Sequence, residues 1–420
     1  MSSPAVLRFW VLSLLTLPLL FADEQDALSI DAVIQARHLP YGTVLDPVLS
    51  LPDLSTVVSY TRCGDSALWT GHYLAAEAYR YAVTHSAAAL ANVNNALQGI
   101  RSLIDVTGND VLARCALPAN SPYAAAISSE EAPNGIHNGT VFGAPYIWVG
   151  NTSRDQYSGV FFGIEATYDL VTDQSVRNWC SYLATRMLNY LMSHAWSVVM
   201  PDGSVSTTFA IRPDQQLALL LVGKHMNGAA FSSDYSVLSD AISPSAPVAV
   251  GVDCADHWGS YFKFNLDYIN FYTLMRLGSG YSGLWYGAAY DELRATTGGD
   301  GNAHFNMIDR AVNGPNRGRD AETLSLLQEW LRRPRTDVYR NFASQFPVCG
   351  DLACQPLPVE DRVTTDFVWQ RSPVQISGGG DGDIETAGID YILPYWMARY
   401  YGLITRPGPP PAPGIRFRKH

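Results

Sequence analysis

Apolar and polar residues along most of the chain follow a helical period rather than the alternation of a strand. The stretch "DSALWTGHYLAAEAYRYAVT", residues 65–84, repeats apolar side chains every three or four positions, as one face of an amphipathic helix does. These apolar residues are Leu68, Tyr73, Leu74, Ala78, Tyr81 and Ala82. The same period predicts a second helix over 86–108, where Gly108 provides a favoured C-terminal residue.

Segments of the same kind continue to the end of the chain, mostly in pairs. Further helices are predicted over 154–173, 174–196, 212–226, 264–280, 281–298, 303–312, 321–333 and 387–404. A short hairpin is predicted around Pro201-Asp202-Gly203, because these residue types favour turns. Residues 109–151 and 334–386 are interpreted as loops, the second of them disulfide-rich.

The two ends of the chain lack this period. Residues 1–22 place Arg8 before an apolar run and end on the small residue Ala22, the pattern of a secretory signal peptide. A retained membrane anchor is the alternative. Residues 23–60 are predicted to form an extended N-terminal arm over a body that covers 61–404, and the proline-rich, basic residues 405–420 are predicted to be a disordered tail.

Several predicted helices begin with an aspartate followed by aromatic or amide residues. These starts contain Asp65, Asp155, Asp214, Asp267 and Asp390, and the second helix of each pair lacks one. A ring of inner and outer helices requires such alternation between acid-tipped apolar helices and more polar partners. The strand–helix rhythm of a β/α barrel is not visible in the sequence.

This rhythm resembles that of the (α/α) toroid enzymes that act on polysaccharides: glycoside hydrolases, unsaturated uronyl hydrolases, polysaccharide lyases and sugar epimerases. The resemblance is one of pattern and spans residues 60–404. It is carried by "DSALWTGHYLAAEAYRYAVT", "SRDQYSGVFFGIEATYDLV" and "ETAGIDYILPYWMARYYG". It implies an all-α, (α/α)6-type toroid of inner and outer helices with a few short β-hairpins in its loops. In such enzymes the N-termini of the inner helices line a substrate funnel.

Composition narrows the range of partners and compartments. Apolar residues make up 47% and charged residues 16% of the 420 residues, enough for a large core. The net charge of −11 argues against nucleic acid and anionic membranes as partners. Six cysteines fit an oxidising compartment, and a secreted or periplasmic protein is expected. Cys349 and Cys354 suit a local disulfide, whereas two more bridges could form among Cys63, Cys115, Cys180 and Cys254.

Asp65 and Asp155 are the predicted catalytic residues. A glycosidase needs one carboxyl to protonate the leaving oxygen and another to act as base or nucleophile. The alternative for each aspartate is a structural N-cap, in which the carboxylate accepts backbone N–H bonds and is a poor general acid. Glu77 and Glu165, within apolar segments, are interpreted as structural.

Substrate contacts are predicted from aromatic, basic and acidic side chains near the predicted funnel. The predicted substrate-binding residues are Arg154, Tyr157, Trp69, His72, His257, Trp258 and Asp390. Cysteine and histidine do not follow zinc-finger spacing and the acids do not follow the EF-hand pattern, so neither a metal nor a cofactor is expected.

The sequence therefore predicts an exported carbohydrate-active enzyme, a glycoside hydrolase that binds an oligo- or polysaccharide and no membrane once its signal is removed. One alternative is a polysaccharide lyase or epimerase, in which Tyr or His takes a proton beside a uronate carboxylate that Arg154 holds. The other is a carbohydrate-binding or surface protein without catalytic activity.

Overall fold

The computed structural model describes residues 22–405 and shows a mainly helical chain. Residues 1–21 of the predicted signal peptide and 406–420 of the predicted tail lie outside the described residues. The helices are α1 (Glu24–Val33), α2 (Ser66–Thr84), α3 (Ala87–Asp105), α4 (Ala124–Glu130), α5 (Arg154–Leu170), α6 (Gln174–Ser193), α7 (Pro213–Met226), α8 (Gly228–Ile242), α9 (Ala246–Ala255), α10 (Phe262–Leu277), α11 (Gly280–Thr297), α12 (Ala303–Asn313), α13 (Arg317–Arg332) and α14 (Ile389–Tyr400).

Short antiparallel strands lie in the connections between helices. The strands are β1 (Asp46–Leu49), β2 (Val57–Thr61), β3 (Cys115–Pro118), β4 (Ile136–Val141), β5 (Ala144–Val149), β6 (Ser197–Val199), β7 (Val205–Thr208), β8 (Arg340–Asn341), β9 (Val348–Cys349), β10 (Leu352–Ala353) and β11 (Ser377–Gly378). β6 and β7 pair across Gly203, whose φ of 84° suits glycine. The predicted hairpin is therefore confirmed.

The N-terminal segment 23–60 differs from the predicted extended arm, because it begins with helix α1. Asp23 and Asp26 form a reciprocal capping box, in which each side chain accepts from the other residue's amide, at 2.9 and 3.1 Å. Asp31 then ties the helix to the body by accepting from Arg80 at 2.6 Å. The prolines of this segment favoured an extended arm, but they follow the helix. The capping residues that start the helix lie before them.

Three further helices and one sheet depart from the sequence prediction. The apolar period does not reveal α8, because it buries only a narrow stripe of Phe231, Tyr235 and Ser239 among small polar residues. The helices α4 and α9 are short and rich in small side chains. Residues 109–151, interpreted as loops, contain α4 and the three-stranded sheet β3-β5-β4.

The helices pack in an order that returns to its starting point. α2 packs against α5, α5 against α7, α7 against α10, α10 against α12, α12 against α14, and α14 against α2. The helices α3, α6, α8, α11, α13 and α1 pack against α2, α5, α7, α10, α12 and α14, respectively. Buried side chains from both sets form one large hydrophobic core.

The helices α2 and α5 approach each other through glycines. A Cβ on Gly71 would lie 2.0 Å from the carbonyl oxygen of Gly159, and one on Gly163 would lie 2.3 Å from that of Gly71. Leu68, one turn before Gly71, contacts Gly159, one turn before Gly163. Because the contacts advance in the same direction along both helices, the helices run parallel and their N-termini lie at the same end.

Two disulfides form within residues 22–405. The predicted local bridge between Cys349 and Cys354 is confirmed, and Cys63 pairs with Cys115, which ties the turn before α2 to β3. Of the two further bridges that the sequence left open, the second does not form, because Cys180, buried on α6, and Cys254 on α9 are free. In this described part of the chain, the helices are too short or too polar to cross a membrane.

Candidate active site

A small cavity of about 180 Å³ lies at the N-terminal ends of α2 and α5. Its wall combines carboxylates, amides and apolar side chains. The lining residues are Asp65, Leu68, Trp69, Asp155, Phe262, Asn265, Leu266 and Gln370. Three of the residues predicted to act on or bind a substrate, Asp65, Asp155 and Trp69, are thus brought together, from parts of the sequence about ninety residues apart.

Larger cavities lie elsewhere, and those with charged residues in their lining combine acids with arginines. A mostly apolar cavity of about 690 Å³ lies between α1 and α14, where Arg399 donates to Glu24 at 2.7 Å. A polar cavity of about 490 Å³ near the start of α13 contains the salt bridge between Arg319 and Asp309. Among these cavities of the described structure, the smaller one is lined by two acids without a basic residue.

Asp65 is the residue before α2, yet its carboxylate does not cap the helix in the described structure. It accepts from Gln156 Nε2 at 3.3 Å and from Gln370 Nε2 at 3.5 Å. Arg114 Nη1 lies 3.8 Å from the same carboxylate. These contacts are long for a charged group, so they orient the Asp65 side chain and leave its oxygens able to bind a further partner.

Asp155 occupies the second position of α5, whose first residue is Arg154. Gln156 closes the helix start, since its Oε1 accepts from the Ser153 amide at 2.9 Å and from the Ser153 hydroxyl at 2.7 Å. This is one half of a capping box. Ser153 and Gln156 therefore cap α5 in the described structure, and the main-chain partner of the Asp155 carboxylate is its own amide.

The pKa of both carboxyls is raised. The pKa of Asp65 is raised to about 6: desolvation is the main cause, Arg114 acts in the opposite direction, and the charges of Asp155, Asp366 and Glu131 add to the rise. Desolvation also raises the pKa of Asp155, against the nearby arginines. The Asp65 side chain still exposes 35% of its surface, so crowding by the wall, rather than full enclosure, causes the desolvation. A carboxyl with such a pKa is suited to donate a proton.

His72 lies beneath the cavity, which corrects the prediction that it contacts a substrate. The side chain is fully buried, and its Nδ1 is 3.0 Å from the Leu68 carbonyl oxygen. A carbonyl only accepts, so Nδ1 carries the proton and Nε2 accepts from Asn265 Nδ2 at 3.2 Å. Desolvation lowers the pKa of His72 to about 4 and keeps the ring neutral. His72 therefore orients the amide of Asn265 in the cavity wall.

Tyr157 and Asp390 also lie in the interior rather than at the cavity, which corrects two further predictions. Tyr157 is fully buried, and its hydroxyl oxygen accepts from the Leu112 amide at 3.1 Å. Asp390 is 2% exposed and accepts from the Val368 amide at 2.8 Å. Both side chains therefore hold loops against the helices.

Arg154 is turned away from the cavity and toward the hairpin of β6 and β7. Its Nη1 donates to the Thr208 carbonyl oxygen at 3.1 Å and to the Thr207 hydroxyl at 3.3 Å. The guanidinium therefore braces the hairpin against the start of α5, and its binding of a substrate stays a prediction.

His257 and Trp258 form a stacked pair in the turn before α10, outside the cavity wall. Their ring centroids are 3.6 Å apart, and His257 Nε2 lies 3.0 Å from Asp300 Oδ1. Trp258 also packs against the cluster around Phe342. The pair thus anchors this turn outside the cavity lining, and its contact with a substrate stays a prediction.

Sequence reasoning missed the cavity residues that come from α10 and from segment 334–386. Phe262 and Asn265 lie in the first turn of α10, whereas Asp267, taken as the start of that helix, is buried and paired with Arg212 at 2.8 Å. Asn265, the amide within "FKFNLD", was the sequence feature that indicated a polar residue at the start of α10. Gln370 carried none, because its position depends on how a long loop folds over the helices.

Comparison with known proteins gives no significant match: no family model, no curated protein and no solved structure is similar enough to this chain.

Proposed function

We propose that the protein is an exported glycoside hydrolase in which Asp65 is the general acid and Asp155 is the base or nucleophile. One observation carries this proposal. Two carboxylates that serve as no helix cap within residues 22–405 line a single cavity beside an indole ring. Hydrolysis of a glycosidic bond requires such a pair, and an aromatic face suits a sugar ring.

The different surroundings of the two acids support these roles. The pKa of Asp65 is raised to about 6, so its protonated form is available to a leaving oxygen in mildly acidic solution. Three arginines, Arg114, Arg154 and Arg212, favour the ionised form of Asp155 against its desolvation, whereas Arg114 is the arginine that favours the ionised form of Asp65. An ionised Asp155 can attack the anomeric carbon itself or activate a water that does so.

The packing order of the helices supports a toroid. We infer that α2, α5, α7, α10, α12 and α14 are the inner helices and that α1, α3, α6, α8, α11 and α13 are the outer ones. The cavity is lined from the starts of α2, α5 and α10. Such convergence is expected where the N-termini of inner helices open on one side of a toroid.

A lyase or epimerase that acts on uronates is less well supported. That chemistry needs a cation for the uronate carboxylate and a Tyr or His to take a proton. Arg154 is engaged with the hairpin, and both Tyr157 and His72 are fully buried. The acids that do reach the cavity favour hydrolysis.

The disulfides are compatible with export. Bonds such as Cys63–Cys115 and Cys349–Cys354 persist in oxidising compartments. We therefore propose that the chain is secreted or periplasmic.

A glycan panel with product analysis tests the function. The wild-type protein should release reducing sugars without an unsaturated product that absorbs ultraviolet light. Asp65→Asn and Asp155→Asn should each lower the rate by about 10²–10⁴-fold, because each removes one proton-transfer or nucleophilic group. Asp234→Asn, a change of the same kind on the exposed surface of α8, is the matched control and should leave the rate unchanged.

Full activity in both cavity variants would contradict the proposed site. Glycan binding that persists in all proteins without any cleavage would instead favour a carbohydrate-binding protein.

A further inference from the structure

The polar groups of the cavity wall are mainly hydrogen-bond acceptors. Ionised Asp155 can only accept, and protonated Asp65 has a single O–H, which goes to the leaving oxygen. Because His72 takes the Nδ2 of Asn265, the Oδ1 of that amide is left as a buried acceptor without a partner among residues 22–405. Gln370 likewise directs its Nε2 to Asp65, and its buried Oε1 has no donor in the described structure. A ligand that fits this wall must bring donors.

The charge of the wall excludes anionic ligands. In the part of the chain that the structure describes, Asp65 and Asp155 are the charged residues of the cavity lining. Arg114 lies behind Asp65 and is engaged with backbone oxygens, donating to Asn151 at 2.8 Å and to Gly64 at 2.9 Å. A carboxylate on the ligand would therefore face two acids. An ammonium group would instead favour the ionised form of Asp65 and remove the general acid.

The size of the cavity fits one small ring. Its volume of about 180 Å³ is below the roughly 300–1,000 Å³ of pockets that hold drug-sized ligands. Trp69 is 7% exposed and Phe262 is 41% exposed, and both contribute apolar surface to the wall. Aromatic surface of this kind packs against the apolar face of a ring while hydroxyls reach the surrounding acceptors.

On the basis of the hydrolase function proposed above, we propose that the cavity holds a single neutral, hydroxyl-rich sugar ring at a chain end, so that the enzyme removes terminal units and rejects uronates. Asp65 gives its proton to the leaving oxygen as the glycosidic C–O bond breaks. If water attacks the anomeric carbon directly, Asp155 accepts the water proton and Asp65 regains its own from solvent. If Asp155 first forms a covalent intermediate, water displaces the Asp155 oxygen from the anomeric carbon and gives its proton to Asp65. His72 is a positioning residue, which acts through Asn265.

Matched pairs of chromogenic glycosides test the selectivity. Glucoside with glucuronide, and galactoside with galacturonide, differ only at C6, and glucosaminide, mannoside and xyloside complete the set, each as both anomers. The uronide of any cleaved neutral glycoside should show a kcat/KM lower by at least about 100-fold, as expected when a charge is buried without a partner. An oligosaccharide labelled at its reducing end should lose one unit at a time from the first turnover.

Ligand-observed NMR of free monosaccharides on the wild-type protein provides a readout that does not require cleavage. Neutral sugars should bind and uronates should not. Gln370→Ala should weaken binding of the neutral sugar about tenfold, through the loss of one wall contact. Gln375→Ala, in the same segment but outside the cavity lining, is the control and should bind normally.

Each outcome separates this inference from the hydrolase proposal. Cleavage of uronides at a comparable rate, or a mixture of internal fragments from the first turnover, would overturn the inference and leave the hydrolase intact. Selective binding of neutral sugars with no cleavage of any substrate would support the ring selectivity and overturn the hydrolase. If neither binding nor cleavage occurs, both fail.

Discussion

The parallel helices α2 and α5 have one pair of acids at their N-termini and another pair farther along, and the two pairs have different surroundings. At the N-terminal end, Asp65 and Asp155 line a cavity. Farther along the same helices, Glu77 and Glu165 are fully buried, and each accepts from an arginine within 3.0 Å. The same pair of helices therefore holds one pair of acids at a cavity and another pair in ion pairs within the core.

Burial and a raised pKa alone do not distinguish the two pairs of acids. Desolvation raises the pKa of Glu77 and of Glu165 as well. The difference lies in the partners: Glu77 also accepts from Asn92 at 3.0 Å, and Glu165 also accepts from Thr273. Asp65 has only long contacts with its neighbours. The candidate site is therefore distinguished by a carboxylate without close hydrogen-bond or ion-pair partners in the described part of the chain, and not by burial.

The largest effect on stability is expected at the buried ion pair between Arg276 and Glu165. Arg276→Met leaves Glu165 buried without its cation, so the free energy of unfolding should fall by about 3–5 kcal/mol. Urea denaturation measures this change. Arg332→Met removes a cation that is more than half exposed and should cost less than about 1 kcal/mol. Equal effects in the two variants would mean that burial does not distinguish these ion pairs.

The next largest effect is expected at the close contact between α2 and α5. Gly71→Ala places a Cβ against the Gly159 backbone, so it should separate α2 from α5, lower the free energy of unfolding by about 1–3 kcal/mol and lower activity as well. Gly287→Ala is the matched control, because open space surrounds that glycine within α11. It should stabilise the protein by about 0.5–1 kcal/mol through helix propensity. A stabilised Gly71→Ala variant would contradict the close helix contact.

The rate is expected to depend on pH through the two cavity acids, Asp65 and Asp155. Asp65 must be protonated to act as an acid, so kcat/KM should fall about tenfold for each pH unit above about 6, or 1.4 kcal/mol per unit. At low pH the rate should fall again, because Asp155 becomes protonated. A pH–rate profile measures both limbs. A rate that still rises above about pH 8 would contradict the assignment of Asp65.

The smallest expected effect is a gain in the free energy of unfolding when Asp65 is replaced by asparagine. The pKa of Asp65 in the folded protein, about 6, lies above the ordinary value of 3.8, so the folded state holds the proton more tightly. The stabilisation that the Asp65 carboxyl provides is therefore fully present below about pH 4 and is lost as the pH rises through about 6. Asp65→Asn should therefore stabilise the protein by about 1 kcal/mol at pH 8, after allowance for solvent screening. Thermal unfolding should show no gain at pH 4, and a loss at pH 8 would contradict the raised pKa.

The sequence by itself determined the helices that carry the site and the acids at their starts. The helix predicted over 65–84 is observed as Ser66–Thr84, and the one predicted over 154–173 is observed as Arg154–Leu170. Such elements depend on local period and on capping residues, which neighbouring positions supply. Asp65 and Asp155 could be singled out because each stands beside an apolar helix that has to begin there.

Only the tertiary structure decided which side chains share the cavity. The helix α2 is buried on nearly all sides from Ser66 to Arg80, so its period does not show whether His72 faces a ligand or the core. Gln370 reaches Asp65 across 305 positions of sequence, through a loop whose course no local pattern encodes. The physical reason is that local spacing sets an element, whereas packing between distant elements sets the direction in which each buried side chain points.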